Sequence, residues 1–209
     1  MQYKSLIFDI DGTLWDSRAL VAEGYNLQLR REGMGHLKIS VDTLKNLFGK
    51  PLPEIGRLLF TEIPDMKERE ALIYRCTQSQ DQYLKENPCQ VGYPQVLETI
   101  QALSKQYRLF IVSNSEKGYP ELCMQKLGLT PYIEGHLCYG DTQTPKGETI
   151  RTLMRRYHIT DAAYIGDTQG DYEATLDAGI PFIFASYGFG QPEGWAEKIE
   201  KFSDLLTLS

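Results

Sequence analysis

From residue 94 onward, short apolar runs alternate with helical stretches, and this pattern constrains the fold more than any other feature of the chain. Runs at 108–112, 163–165 and 182–185 read as buried strands, with a shorter one at 135–139. Between and before them, 94–106, 118–127, 146–158 and 169–178 read as helices, and Gly128 and Gly179 stand where two of these stop. Glycine ends helices because it adopts the left-handed conformation past the last turn without penalty. Continuous apolar strands joined through helices imply a parallel sheet covered on both faces. An earlier apolar run, Leu6-Ile7-Phe8, supplies one more strand.

Between that first strand and the alternating region, residues 17–86 carry helical patterns only. Ser17 is expected to cap a helix reaching about residue 32, ended by Gly33 and Gly35. Ser40 caps a second over 41–48, halted by Gly49, and a third spans 53–60. Pro64-Asp65 opens a long fourth helix that ends before Asn87-Pro88. A crossover of that length far exceeds an ordinary strand-to-helix connection, so it forms its own lobe. The expectation is a Rossmann-like α/β core domain over 1–16 and 87–209, with an inserted all-helical domain at 17–86. Connections near Asp16-Ser17 and at 87–93 are expected to act as hinges, and Ser203 to cap a short final helix.

Ligands of an open parallel sheet bind beyond the carboxyl ends of the strands, at the point where strand order reverses. The residues following each strand are therefore the informative ones. After the first come Asp9, Asp11 and Thr13, with Gly12 allowing a sharp turn. The strand period of two puts Asp9 and Asp11 on one side, and like charges that close need a proton, a cation or a metal. Ser113-Asn114-Ser115 follows the second strand, and Thr144-Pro145-Lys146-Gly147 opens the helix at 146. Gly166-Asp167-Thr168-Gln169-Gly170-Asp171 follows the strand at 163–165. Carboxylates, hydroxyls, an amide and an ammonium at one sheet edge suit phosphoryl transfer, which needs a nucleophile, positioned donors and positive charge. Hard carboxylate oxygens suit Mg²⁺ better than zinc.

In that order and spacing, the four groups resemble the motifs of the haloacid dehalogenase superfamily, in its phosphoglycolate phosphatase-like branch with a helical cap inserted after the first motif. The resemblance implies that Asp9 is a nucleophile forming an aspartyl-phosphate and that Asp11 is the general acid–base. It implies that Ser113 and Asn114 bind the transferring phosphoryl group and that Lys146 neutralises its charge. Mg²⁺ is then held by Asp9, the backbone carbonyl of Asp11 and Asp167, with Asp171 a second acidic residue at the metal. Dehalogenase relatives and P-type ATPases lack an aspartate at the Asp11 position, so the resemblance implies a phosphomonoester as the substrate. The loop Gly49-Lys50-Pro51-Leu52-Pro53-Glu54 is similar to the substrate-facing cap loop of phosphoglycolate phosphatases and β-phosphoglucomutases. Lys50 is the candidate for a substrate carboxylate or hydroxyl, with Arg57 a further one. Tyr187-Gly188-Phe189-Gly190 resembles a glycine–aromatic–glycine segment of the same phosphatases, whereas Gly147 departs from their usual Lys-Pro pair.

The implied activity is Mg²⁺-dependent hydrolysis of a small phosphorylated metabolite, phosphoglycolate-like or a sugar phosphate. A phosphosugar mutase of the same superfamily is the alternative, and a phospho-accepting signalling receiver a more distant one. A net charge of −6 argues against nucleic acid and anionic membrane surfaces as partners. No run of 18 apolar residues and no signal peptide is seen. Cys76, Cys89, Cys123 and Cys138 are scattered without metal-site spacing, which suits reduced thiols in a cytoplasmic protein, monomeric or homodimeric. His36, His136 and His158 are isolated from any nucleophile setting.

Overall fold

The computed structural model describes residues 3–45, 47–88 and 91–208. Its strands are β1 (Ser5–Phe8), β2 (Arg108–Ser113), β3 (Gly135–Cys138), β4 (Ala162–Gly166), β5 (Phe182–Ala185) and β6 (Glu197–Ile199). They form a parallel sheet in the order β3-β2-β1-β4-β5-β6. The chain steps outward from β1 through β2 to β3, then returns to the other side of β1 to lay down β4. Strand order therefore reverses between β1 and β4, the point at which such sheets bind ligands. Register there sets Ile7 beside both Phe110 and Tyr164, and every residue of β1 and β4 is buried.

The chain divides into two compact units, Met1–Asp16 with Val91–Ser209, and Ser17–Gln90. In the first, α5 (Val96–Leu103), α6 (Tyr119–Leu127), α8 (Lys146–Tyr157) and α9 (Gln169–Ala178) cover the sheet together with a short α7 (Tyr139–Thr142). Ile7, Phe110, Val112, Ile150, Leu153, Tyr164 and Phe182 share one buried cluster, so side chains from four neighbouring strands and α8 close the same core. Residues 14–16 and 91–93 lie side by side, through Tyr93 N–H to Leu14 O at 3.1 Å and Asp16 N–H to Val91 O at 2.8 Å.

The second unit is helical: α1 (Arg18–Arg31), α2 (Val41–Lys45), α3 (Leu52–Leu59) and α4 (Met66–Glu86). Its own core gathers Val21, Tyr25, Leu29, Leu44, Phe60, Leu72 and Ile73. Gly24 brings α1 close to α4, since a Cβ there would stand 2.5 Å from the Cα of Gln80. Arg75 of α4 binds Glu32 at 2.7 Å and Glu68 at 2.7 Å. Asp65 caps α4 by accepting from the Lys67 N–H at 3.0 Å.

Several boundaries differ from the expectations above. Ser17 precedes α1 in a helical conformation, φ −89° and ψ −4°, and its side chain makes no capping bond. Ser40 does cap α2, accepting from Thr43 N–H at 3.1 Å, but Leu47 and Phe48 form a turn rather than helix; Asn46, within the expected helix, lies outside the described residues. The helix expected from 94 begins at Val96, because Gln95 takes a left-handed φ of 62°. β6 and α7 were not expected, and the final turn is a 3-10 helix over Phe202–Leu206 that contains Ser203 rather than being capped by it. Cys76, Cys123 and Cys138 are free and buried; Cys89, and with Gln90 part of the expected second hinge, lies outside the described residues. Among the described residues no helix is long and apolar enough to cross a membrane.

Candidate active site

Asp9 leaves β1 still bonded to β4, its N–H donating to Ile165 O at 2.8 Å, and only 3% of its surface is exposed. A buried carboxylate needs compensation. Lys146, the first residue of α8, supplies it: the ammonium lies 2.9 Å from Asp9 Oδ1 and 2.6 Å from Asp171 Oδ1. All three side chains are buried, and the ammonium stands 5.7 Å from the Tyr164 ring centroid. Burial works against the lysine's charge, but Asp171 and Asp9 outweigh it and hold the ammonium well above its usual pKa. Burial dominates at Asp9, lifting its carboxyl to about 7 despite Lys146.

Asp171 has a different balance. Burial is outweighed by Lys146 and by Thr168, so its carboxyl sits below the usual range. Its Oδ2 accepts from Thr168 Oγ1 at 2.7 Å, Thr168 N–H at 3.0 Å and Asp167 N–H at 3.2 Å. With Oδ1 on Lys146, both oxygens of Asp171 are committed to shaping the turn and aiming the lysine. The reciprocal pairing of Thr168 and Asp171 is also the capping box that starts α9.

Asp167 is fully buried and lacks such support. Its Oδ2 accepts from the Phe189 N–H at 2.6 Å, while Oδ1 has no hydrogen-bond partner. Burial, then Asp171 and Asp9, push its carboxyl well above the usual range. Carboxylate oxygens of Asp9, Asp167 and Asp171 lie within 4.8 Å of one another, so hard donors converge where one buried acceptor is unsatisfied. That donor set and the orphaned oxygen fit a small divalent cation such as Mg²⁺.

Two turns close around Asp167. Gly12 has φ +86°, and a Cβ there would collide with the Asp167 carboxylate. The segment 187–190 crosses from the other side: a Cβ on Gly188 would collide with Asp167, and one on Gly190 would stand 2.7 Å from Asp167 O. Tyr187 fixes this segment by donating its hydroxyl to Thr13 O at 2.8 Å and meeting Tyr93 edge-on at 4.8 Å. The glycine–aromatic–glycine segment is thus a strap that delivers one backbone N–H to Asp167.

Asp11 is less buried than Asp9. Its Oδ1 accepts from Trp15 Nε1 at 2.9 Å and from the Tyr119 hydroxyl at 2.8 Å. Ser113, at the end of β2, is buried, and its Oγ accepts from Ser115 N–H at 3.2 Å, which leaves its own proton to donate. Asn114 follows it, half-buried. Lys50 belongs to the helical unit, where its ammonium pairs with Glu54 at 2.5 Å, and Arg57 pairs with Glu70 at 3.1 Å. Gly147 has a packing reason, because a Cβ there would collide with Asp177 of α9. Sequence reasoning did not single out Tyr119 or Tyr164, and it named the 187–190 segment without a role for the Phe189 amide. Tyr119 opening the helix after Ser113-Asn114-Ser115 was the available signal.

Acidic groups, a buried ammonium and a hydroxyl thus gather at the switch point of a parallel sheet. The chain belongs to the haloacid dehalogenase-like hydrolases, whose family model matches residues 6–185. It is 28% identical over 212 residues to a phosphoglycolate phosphatase of Rhodobacter capsulatus, covering 98% of this chain and 94% of that one. Among solved structures it resembles a predicted phosphoglycolate phosphatase from Haemophilus somnus 129pt, with TM-score 0.83 and 22% identity over 99% of this chain and 98% of that one. A haloacid dehalogenase-like family hydrolase from Streptococcus pneumoniae gives TM-score 0.81 and 19% identity over 98% and 97%. A second curated relative, a phosphoglycolate phosphatase of Agrobacterium fabrum, is 26% identical over 198 residues, 88% of this chain and 80% of that one.

Proposed function

We propose that the chain is a Mg²⁺-dependent phosphatase that hydrolyses a small phosphomonoester through an aspartyl-phosphate on Asp9. The observation that carries this reading is the buried Lys146 bridge between Asp9 and Asp171, beside the unsatisfied Asp167 oxygen. A buried carboxylate held against an ammonium is a nucleophile kept free of bulk water. An Asp9 oxygen bonds to phosphorus as the ester P–O bond breaks, and Asp11 gives its carboxyl proton to the departing oxygen. A water oxygen then bonds to phosphorus as the Asp9–phosphate bond breaks, and its proton goes to the Asp11 carboxylate. Inorganic phosphate leaves, Asp9 is again a carboxylate, and Asp11 is again protonated.

Lys146 offsets charge on the phosphoryl oxygens, and Ser113 has a hydroxyl proton to donate to one of them, with Asn114 beside it. Asp9, the Asp11 carbonyl and Asp167 would hold Mg²⁺, which supplies positive charge against the phosphoryl oxygens when bound. Asp171, with both oxygens engaged, positions Lys146. The 17–90 unit serves as the cap, with Lys50 the residue through which it meets the substrate. The relatives' names make 2-phosphoglycolate the first substrate to try.

The test is phosphate release from a panel of phosphorylated metabolites, 2-phosphoglycolate and hexose phosphates included, with Mg²⁺, for the native chain and Asp9→Asn. Release by the native chain and its loss in the variant are expected. No release from any ester, or full release by Asp9→Asn, overturns the reading. Isomerisation of a hexose phosphate without release assigns the mutase chemistry instead.

A further inference from the structure

Trp15 and Tyr119 stand on the carboxyl group assigned above as proton donor, and neither has a role in the chemistry described so far. We propose that they are positioning residues that fix Asp11 in one orientation and direct its transferable proton to Oδ2. This rests on the reading of Asp11 as general acid. Both donors converge on the same oxygen, Oδ1, at 2.9 Å and 2.8 Å. They arrive from separate parts of the chain, Trp15 four residues beyond Asp11 and Tyr119 at the start of α6. An indole N–H only donates, and a carboxyl oxygen already accepting two hydrogen bonds is the carbonyl-like one. The acid proton therefore resides on the other oxygen.

The two rings are rigid supports. Trp15 is fully buried and Tyr119 nearly so, and they meet edge-on with centroids 5.6 Å apart. The Trp15 backbone is held as well, its carbonyl accepting from Gly12 N–H at 2.9 Å and its strand pairing with Gly92. A carboxylate that is itself only half-buried is thus fixed by two buried aromatic donors. Such fixing matters for proton transfer, where small losses of alignment are costly.

The proton is required only when the leaving group is a poor one. Protonation of an alkyl leaving oxygen is essential, whereas p-nitrophenolate departs without it. The experiment compares kcat/KM for p-nitrophenyl phosphate and for an alkyl phosphomonoester that the native chain hydrolyses, in Tyr119→Phe, Trp15→Phe and Asp11→Asn. General acid catalysis is worth roughly 10²–10⁴-fold, and each aromatic variant is expected to lose on the order of tenfold on the alkyl ester. The loss on p-nitrophenyl phosphate is expected to stay below about twofold, with Asp11→Asn showing the same bias more strongly. Equal losses on both esters, or none, overturn the proposal while leaving the phosphatase reading intact. A native chain that releases phosphate from neither ester overturns the phosphatase reading and this one with it. If one aromatic variant fails to fold, the other carries the same comparison.

Discussion

Asp167→Asn separates what the fold needs from what the chemistry needs. Asp167 is fully buried, with one oxygen on the Phe189 amide and the other unpaired, near carboxylates of like charge. An asparagine oxygen still accepts from Phe189, and its NH₂ places a donor among the Asp9 and Asp171 oxygens. An unsatisfied buried acceptor costs about 1–3 kcal/mol. At about 2–4 °C per kcal/mol for a chain of this size, the variant without divalent ions should melt a few degrees above the native chain. Mg²⁺ at about a hundred times its Kd should stabilise the native chain by about 2.7 kcal/mol, or roughly 5–11 °C, and the variant hardly at all. Calorimetry at pH 8 with EDTA and with Mg²⁺ reads both effects. A variant that melts well below the native chain in EDTA would show that the Asp167 oxygen is already compensated, and one that keeps the Mg²⁺ shift would show that Asp167 holds no metal.

Removing Lys146 leaves two buried carboxylates without their cation, so Lys146→Met should cost about 3–5 kcal/mol in denaturant unfolding and abolish phosphate release. Gly188→Ala should push Asp167 off the strap's amide and weaken Mg²⁺ binding by roughly tenfold or more, read by titration calorimetry; unchanged affinity would contradict the strap's role. Arg75 holds the Glu32 carboxyl below its usual range, mainly through their hydrogen bond. A lowered folded-state pKa gives stability that is present above the unfolded pKa and lost as pH falls through the folded one. Arg75→Met should therefore flatten the acid limb of the melting curve below about pH 4.5 and cost under about 1 kcal/mol near neutrality, as suits a partly exposed pair.

Much of this was legible because the chain punctuates its elements with residues of fixed meaning. Gly128 and Gly179 have φ +70° and +74°, and α6 and α9 end where those glycines stand. What escaped did so for physical reasons. β6 is the three-residue edge strand Glu-Lys-Ile, too short and too charged to read as apolar. α7 is built from Tyr-Gly-Asp-Thr, a turn composition held by the Asp141 carboxylate on Cys138 N–H at 3.1 Å. Gln95 begins α5 late through a left-handed φ that nothing local requires.

The site divides the same way. Asp9, Asp167 and Lys146 could be found because each immediately follows a strand or opens a helix at the reversal of strand order. Tyr119 reaches Asp11 across 108 residues of sequence, and Phe189 reaches Asp167 through a backbone amide that carries no side-chain signature. The strap's glycines were visible, but their reason was not, since it is the space occupied by Asp167.

A covalent bond between Asp9 and phosphorus, as proposed, can be trapped chemically. The native chain is mixed with a substrate it hydrolyses, quenched in acid within a turnover, reduced with borohydride and digested for peptide mass spectrometry. An acyl phosphate at Asp9 is reduced to homoserine at that position alone, and this is the predicted result. Unreduced Asp9 in a sample that has released phosphate, or homoserine at another aspartate, would rule out Asp9 as the nucleophile.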